Sequence, residues 1–315
     1  MGKGLPPQSP SSDIEAGTNN YKPHHRRRPP PPPKFSPPAP EPWFAWLLPL
    51  VFVANIVMFV VTMYINDCPA TTGPENCLFY DYLGRFSFQS FKDNPLLGPS
   101  LITLKELGAL DWKLVVESNQ AWRLISCIWL HAGVIHLLAN MMSLLFIGIR
   151  MEQEFGFLRI GLLYMLSGFG GSLRSAVTPG RRQTISVGAS GALFGLLGAM
   201  LSELITNWTN YTNKCQSLST MLLIISLNLA VGFLPHVDNS AHIGGFISGF
   251  LAGFILLMRP QFGYVSHKHI PPGYEIKRKI PRHKCYQYLL LVIALVLLLV
   301  GYAIGLSRLF EGQTL

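Results

Sequence analysis

Long apolar stretches recur along this chain and restrict it to folds that a membrane allows. Seven stretches are each long enough to cross the roughly 30 Å of a bilayer core as a helix. They cover approximately residues 43–65, 129–149, 157–177, 188–206, 217–235, 240–258 and 287–306. Charged residues make up only 13% of the chain, about half their share in a soluble domain. The sequence therefore predicts an all-α polytopic membrane protein.

The remaining segments divide the chain into four predicted parts. Residues 1–42 are rich in proline and include three consecutive arginines at 26–28, so this cytosolic tail is expected to be disordered or polyproline II. A membrane core spans 43–258, a basic cytosolic loop 259–286, and an additional transmembrane helix with a short tail 287–315. The first apolar stretch begins too late for a cleaved signal peptide and is expected to remain as an anchor.

The distribution of basic residues predicts the orientation. The net charge is +9, with clusters before the first stretch and between the sixth and seventh. Both lie in the cytosol if the amino terminus does, as the positive-inside rule expects; three arginines, Arg174, Arg181 and Arg182, depart from it. We expect a multi-pass protein of the secretory pathway, in the Golgi or plasma membrane. The basic flanks favour contact with anionic lipids over nucleic acid.

Two glycosylation sequons and two cysteines indicate which loops face the cytosol and which face an oxidising compartment. The sequons at Asn207 and Asn210 follow the fourth stretch and are expected to carry no glycan, because that side is cytosolic. Cys68 and Cys77 share the loop after the first stretch, where an oxidising compartment makes a disulfide plausible. No cysteine and histidine spacing is typical of zinc, and no cofactor is expected.

Ser190 opens the fourth apolar stretch, in Gly188-Ala189-Ser190-Gly191. The N–H groups in the first turn of a helix lack intrahelical partners, and the helix dipole adds partial positive charge there. A serine at this place most commonly caps the helix. The alternative is a nucleophile whose own N–H stabilises an oxyanion. Taken alone, the pattern favours the cap.

His242 lies near the start of the sixth stretch, which carries glycines at 245, 249 and 253. The fourth stretch carries glycines at 191, 195 and 198, and two such faces permit close helix packing. Both stretches enter from the same side, so a Ser190–His242 hydrogen bond of about 3 Å is reachable. An isolated histidine in a membrane is often only a packing residue. Phe194, one turn beyond Ser190, is either a stacking partner for the imidazole or an ordinary core residue.

A third polar group lies in the second stretch, where His131, His136 and Asn140 occur within ten residues. His136 and Asn140 are four residues apart and share one helix face. Their N–H groups could stabilise a tetrahedral oxyanion. Alternatively, they connect helices by hydrogen bonds without any chemistry. No acidic residue within the stretches is placed to complete a triad, which favours a Ser–His dyad.

These three ordered motifs resemble the rhomboid intramembrane serine proteases. The resemblance covers about residues 120–258 and includes Trp122-Arg123. The seventh stretch and the basic, proline-rich tail are similar to the six-plus-one eukaryotic secretase type, and residues 191–205 to plant members. Structural roles are expected for Arg123 and Glu152.

The resemblance implies a role for each matching residue. Ser190 would be the nucleophile and His242 the general base and then acid. His136, Asn140 and the Ser190 N–H would stabilise the oxyanion, supported by His131 and Gly188. Phe194 stands where the family often has tyrosine and retains the ring. The implied partners are membrane lipids and single-span transmembrane substrates, cleaved near the non-cytosolic face through an acyl-enzyme.

Two rival functions remain. A non-catalytic rhomboid-like protein that binds membrane clients would share the fold, although such relatives usually lack the serine or the histidine. A transporter would call for charged residues within the spans and for internal repeats, and the sequence shows neither.

Overall fold

The computed structural model describes residues 42–179, 184–208, 213–231, 237–260 and 283–311. Their secondary structure is helical, with isolated two-residue bridges and no β-strand in this part of the chain. The all-α fold class predicted from the sequence is confirmed. The helices are α1 Leu47–Asn66, α2 Cys68–Thr72, α3 Tyr80–Leu83, α4 Leu101–Leu107, α5 Trp112–Val116, α6 Arg123–Ser126, α7 Val134–Ser143, α8 Ile149–Phe155, α9 Phe157–Val177, α10 Ser190–Thr206, α11 Lys214–Val231, α12 Asn239–Leu256 and α13 Cys285–Glu311.

Membrane-spanning character is unequal among the long helices. Within the described ranges, four helical segments are long and apolar enough to span by themselves: Leu47–Thr72, Val134–Phe155, Asn239–Leu256 and Cys285–Glu311. The second joins α7 to α8 through a π-helical turn, Leu144–Gly148. Helix α10 is apolar but shorter. Helix α9 is less apolar because it contains several glycines and serines. Most of these small residues are buried against other helices.

Helices α9, α10 and α12 form the centre of the fold, and small residues set their separation. The glycine faces predicted for α10 and α12 pack directly on each other. A methyl group on Gly245 would overlap the carbonyl oxygen of Gly191, and one on Gly249 would overlap that of Gly195. Lipid tails are as apolar as leucine, so helices in a membrane associate through such close van der Waals packing. This contact places the starts of α10 and α12 side by side.

We expect Gly249→Ala to destabilise the protein strongly, since α12 cannot keep its distance from the Gly195 carbonyl. Gly301→Ala on α13 is the matched control, because a methyl group there meets no atom within 4 Å. Helix propensity alone would make that control neutral or stabilising by up to about 1 kcal/mol. Equilibrium unfolding in mixed micelles measures both variants. Equal stabilities would contradict the packing argument.

Glu152 connects the end of α8 to the beginning of α1. Its side chain is fully buried, and its two carboxylate oxygens accept hydrogen bonds from the N–H groups of Trp46 (2.9 Å), Leu47 (2.8 Å) and Leu48 (2.8 Å). The first N–H groups of a helix have no intrahelical acceptor, and the helix dipole favours a negative charge there. The structural role expected for Glu152 is thus the capping of α1.

Loss of this cap should be costly. We expect Glu152→Ala to lower the free energy of unfolding by about 3 kcal/mol or more, because charged hydrogen bonds are lost and buried donors remain unsatisfied. Glu152→Gln should cost less, since one carbonyl oxygen can still accept. The neighbouring Glu154→Ala serves as control: its partly exposed ion pairs with Arg150 and Arg259 are worth at most about 1 kcal/mol. A Glu152→Ala protein as stable as Glu154→Ala would refute the assignment.

Asn207 joins α13 to the core at the opposite end of α10 from Ser190. Its side chain is fully buried. The amide nitrogen donates to Glu203 Oε1 and to the Leu257 carbonyl, both at 3.0 Å, while its oxygen accepts from the Arg259 N–H at 2.9 Å and from Gln287 Nε2 at 3.4 Å. A glycan on the Asn207 amide would be incompatible with these contacts, which is consistent with the expectation that this sequon is unmodified. The second sequon, at Asn210, lies outside the described residues.

The long segment between α1 and α7 is held by a disulfide and by hydrogen bonds from Arg123. Cys68 and Cys77 form a disulfide. The buried guanidinium of Arg123 donates to the carbonyl oxygens of Lys105 (2.6 Å) and Ala109 (2.9 Å) and to Gln120 Oε1 (2.7 Å). Arg123 therefore has the structural role that the sequence predicted, as an anchor for this loop.

Candidate active site

The loop before α10 fixes the position of Ser190. Leu110 and Ser186 exchange two backbone hydrogen bonds of 3.0 Å, and the Gly188 N–H donates to the Cys127 carbonyl at 2.9 Å. Gly188 has a φ of +122°, a conformation that a side chain would strain. Helix α10 begins at Ser190 itself, so its N–H is one of those without an intrahelical acceptor.

Ser190 and His242 are in direct contact. His242 Nε2 lies 2.9 Å from Ser190 Oγ, within the range of a nucleophile–base hydrogen bond. The His242 side chain is almost entirely buried. Because α10 and α12 are in contact through glycines, the side chains of Ser190 and His242 are long enough to bridge the two helices.

Phe194 restricts the orientation of the imidazole. Its ring stacks on that of His242 with centroids 4.2 Å apart and an angle of 15° between the planes. Of the two readings of Phe194 left open by the sequence, the structure places it in the stacking position. The contact limits rotation of the imidazole about its own axis while leaving its Nε2 directed at Ser190.

His136 and Asn140 approach the backbone immediately before Ser190. A methyl group on Gly188 would lie 2.8 Å from His136 Nε2 and 3.5 Å from Asn140 Nδ2. His136 Nδ1 accepts from the Ala132 N–H at 3.4 Å, which assigns the ring proton to Nε2 in the neutral imidazole. Asn140 Nδ2 is buried and has no hydrogen-bond partner among the described residues. Two N–H donors are therefore available beside Gly188.

His131 occupies a different position from the other predicted site residues. It is completely buried, and its ring meets that of His136 edge to face with centroids 5.3 Å apart. His131 therefore packs against His136, which lies beside Gly188.

Asp111, next to the Leu110 that pairs with Ser186, forms an ion pair and caps a helix. Burial alone would raise the pKa of the Asp111 carboxyl, but its ion pair with Lys105 at 2.7 Å and hydrogen bonds from the N–H groups of Leu114 and Lys113 outweigh this. The pKa of Asp111 consequently lies below its ordinary value. The carboxylate therefore stays charged near neutral pH and caps α5. In the described segments no group of three histidine, cysteine or acidic residues is arranged to hold a metal.

Comparison with known proteins shows the family of this chain. Residues 118–259 match the model of the rhomboid domain. RHOMBOID-like protein 5 of Arabidopsis thaliana is 60% identical over 281 residues, which cover 89% of this chain and 90% of that protein. The chain belongs to the rhomboid family. Rhomboid-like protein 1 of the same plant is also 60% identical, over 87% of this chain and 69% of its own length. The family resemblance found in the sequence, including the likeness to plant members, is confirmed.

Membership of the rhomboid family shows that this is an integral membrane protein with an intramembrane-protease-type fold. It does not by itself show that the protein is catalytically active. A further Arabidopsis thaliana relative, Inactive RHOMBOID-like protein 8, is 44% identical over 74% of this chain and 64% of its own length. The fold is thus shared by proteins that carry the name inactive. Whether a member is an enzyme depends on the side chains around Ser190.

One residue beside the dyad was not assigned by the sequence analysis. Asp238 precedes α12 and accepts a hydrogen bond from the Ala241 N–H at 3.1 Å. The signal for it was an aspartate directly before a helix, which is a common N-cap. The prediction of a dyad instead of a triad considered acidic residues only within the apolar stretches.

Proposed function

We propose that this chain is a serine endopeptidase that cleaves transmembrane-helix substrates near the non-cytosolic face through the Ser190–His242 dyad. The observation that carries the proposal is the 2.9 Å contact between Ser190 Oγ and His242 Nε2. A serine that only capped its helix would not need an imidazole at hydrogen-bond distance, held by a stacked ring. The arrangement supports acyl transfer.

The proposed reaction uses the groups in sequence. His242 Nε2 takes the hydroxyl proton as Ser190 Oγ attacks the peptide carbonyl of the substrate. The imidazolium then gives that proton to the leaving amine, and an acyl-enzyme remains. A water molecule, deprotonated by His242, attacks the ester carbonyl; the bond to Ser190 Oγ breaks, the imidazolium returns its proton to that oxygen, and the acid product leaves. Each half-reaction returns the imidazole to its neutral form.

The developing oxyanion has three donors nearby. The Ser190 N–H begins α10, and the His136 Nε2–H and Asn140 Nδ2–H lie beside Gly188. Donors that are already in place can stabilise the negative charge without reorganisation. One such donor typically lowers the activation free energy by about 3–4 kcal/mol. Asn140 Nδ2 is buried without a hydrogen-bond partner among the described residues, which is a cost to stability in the resting protein. A transient oxyanion would accept a hydrogen bond from it.

The dyad yields a direct test. We expect purified wild-type protein to react covalently with a fluorophosphonate probe and to cleave a transmembrane reporter substrate. Ser190→Ala should abolish labelling, and His242→Ala should slow it by about 10⁴-fold or more, because the hydroxyl loses its base. Labelling is measured by in-gel fluorescence and folding by thermal unfolding. Ser202→Ala, a buried helical serine bonded to the Ala199 carbonyl, is the matched control and should label normally.

The rival function is that of a non-catalytic client-binding protein. It would predict a folded protein that does not react with the probe and retains a bound transmembrane client regardless of the residue at 190. Activity that survives Ser190→Ala would equally exclude the proposed dyad. This alternative is considered because one relative is named inactive.

We also propose that the amino terminus is cytosolic and that the protein resides in the Golgi or plasma membrane. Lys284 and Arg259 lie near Asn207, at the end of the core where α1 begins. The disulfide between Cys68 and Cys77 lies at the end where α1 finishes. The positive-inside rule and the oxidising side of the membrane thus support the same orientation.

Orientation and compartment are tested in intact membranes. We expect an epitope tag at the amino terminus to be digested by protease added from the cytosolic side and a tag at the carboxyl terminus to be protected. Protection of the amino-terminal tag would reverse the assignment. Co-fractionation with mitochondria would overturn the secretory location, an outcome to include because RHOMBOID-like protein 6 of Arabidopsis thaliana is named mitochondrial.

A further inference from the structure

Asp238 makes hydrogen bonds to two helices at the level of the dyad. One carboxylate oxygen accepts from the Ala241 N–H at 3.1 Å, in the first turn of α12. The other accepts from the Ser175 hydroxyl, in the last turn of α9. The Asp238 carbonyl also accepts from the N–H of His242 at 3.2 Å. A single residue thereby connects α9 to the turn that carries the proposed general base.

The start of α12 lies where α9 and α10 meet. A methyl group on Gly171 of α9 would lie 2.8 Å from the Ala241 carbonyl and 3.3 Å from the Cα of Gly191. Ser175, one turn further along α9, is almost fully buried. At Gly171 the three helices meet through backbone atoms. Close packing fixes the distance between the helices, and the Asp238 bridge adds a directional contact that fixes the rotation of α12.

Rotation of α12 matters because His242 reaches Ser190 across the gap between two helices. The imidazole lies several ångströms from the axis of its helix, so a turn of about ten degrees would displace Nε2 by about 1 Å. A misplacement of this size at a reacting group can lower a rate by on the order of 10²-fold. Phe194 limits the tilt of the ring but cannot compensate for movement of the backbone that carries it.

We propose that Asp238 is a positioning residue: it holds the start of α12 against Ser175 of α9 and so sets the distance from His242 to Ser190. This inference rests on the proposed proteolytic function. It assigns the role to hydrogen bonds and not to the charge of the carboxylate. An asparagine can cap a helix as well as an aspartate, and its amide can donate to the Ser175 oxygen. Asp238→Asn should therefore preserve the positions, whereas Asp238→Ala removes both bonds.

The inactivation kinetics of the full-length protein with a fluorophosphonate probe test this assignment. The rate constant for covalent reaction, kinact, is separated from the probe affinity, KI, by varying the probe concentration. For Asp238→Ala we expect kinact to fall by about 10- to 100-fold, with KI changed little. Asp238→Asn should remain within about threefold of wild type, and Ser175→Ala should fall between the two. A defect in kinact alone, rescued by asparagine, is not expected of a general loss of stability.

The matched control is Ser100→Ala. Ser100 caps α4 by accepting from the Thr103 N–H at 3.1 Å, so this variant loses a helix cap away from the dyad, and its kinact should equal that of wild type. Normal kinact in Asp238→Ala, or an Asp238→Asn protein as impaired as Asp238→Ala, would overturn the proposal. If Asp238→Ala does not fold, Ser175→Ala decides, and an unchanged kinact there refutes the bridge. Failure of wild-type protein to react would instead refute the proposed protease.

Discussion

The contact between α10 and α12 is the interaction on which the rest of this structure depends. Gly191 and Gly195 on one helix leave no room for any side chain at Gly245 and Gly249 on the other. In a membrane this contact gains little from the hydrophobic effect and much from dispersion and close fit. Because it lacks side chains, it also brings the two backbones near enough for Ser190 and His242 to meet.

Polar residues at helix ends complete what the glycine contacts begin. Glu152 caps α1, Asn207 joins the ends of α10, α12 and α13, and Asp238 caps α12. Glu152 and Asn207 bond to backbone groups of another segment, and Asp238 bonds to the backbone of α12 and to the Ser175 hydroxyl of α9. Unsatisfied backbone groups are expensive where water is scarce. The same requirement makes these residues directional, so they define how helices are rotated as well as how closely they pack.

Much of this architecture could be predicted from the sequence because it depends on local patterns. Apolar length located the helices, and the spacing of glycines on α10 and α12 identified the faces that pack and therefore the pairing of Ser190 with His242. The hydrogen-bond partners of Glu152 and Asn207, and the bond from Ser175 to Asp238, could not be predicted in this way. Glu152 bonds to residues more than one hundred positions away, and Asn207 lies in a sequon that reads as an exposed loop. Such contacts depend on which helix ends meet, which no local pattern contains.

The glycine contacts also indicate how the fold can persist in a protein that is not an active enzyme. The packing of α10 on α12 does not use the hydroxyl of Ser190 or the imidazole of His242, so the fold can persist without either. The donors beside Gly188 are different. Asn140 Nδ2 is buried without a protein acceptor in the described part of the chain, at a cost of about 1–3 kcal/mol. Under the proposed function, a transient oxyanion at Ser190 would accept a hydrogen bond from this donor. Support for catalysis therefore comes from the side chains around Ser190, which helix packing does not require, and not from the fold that surrounds them.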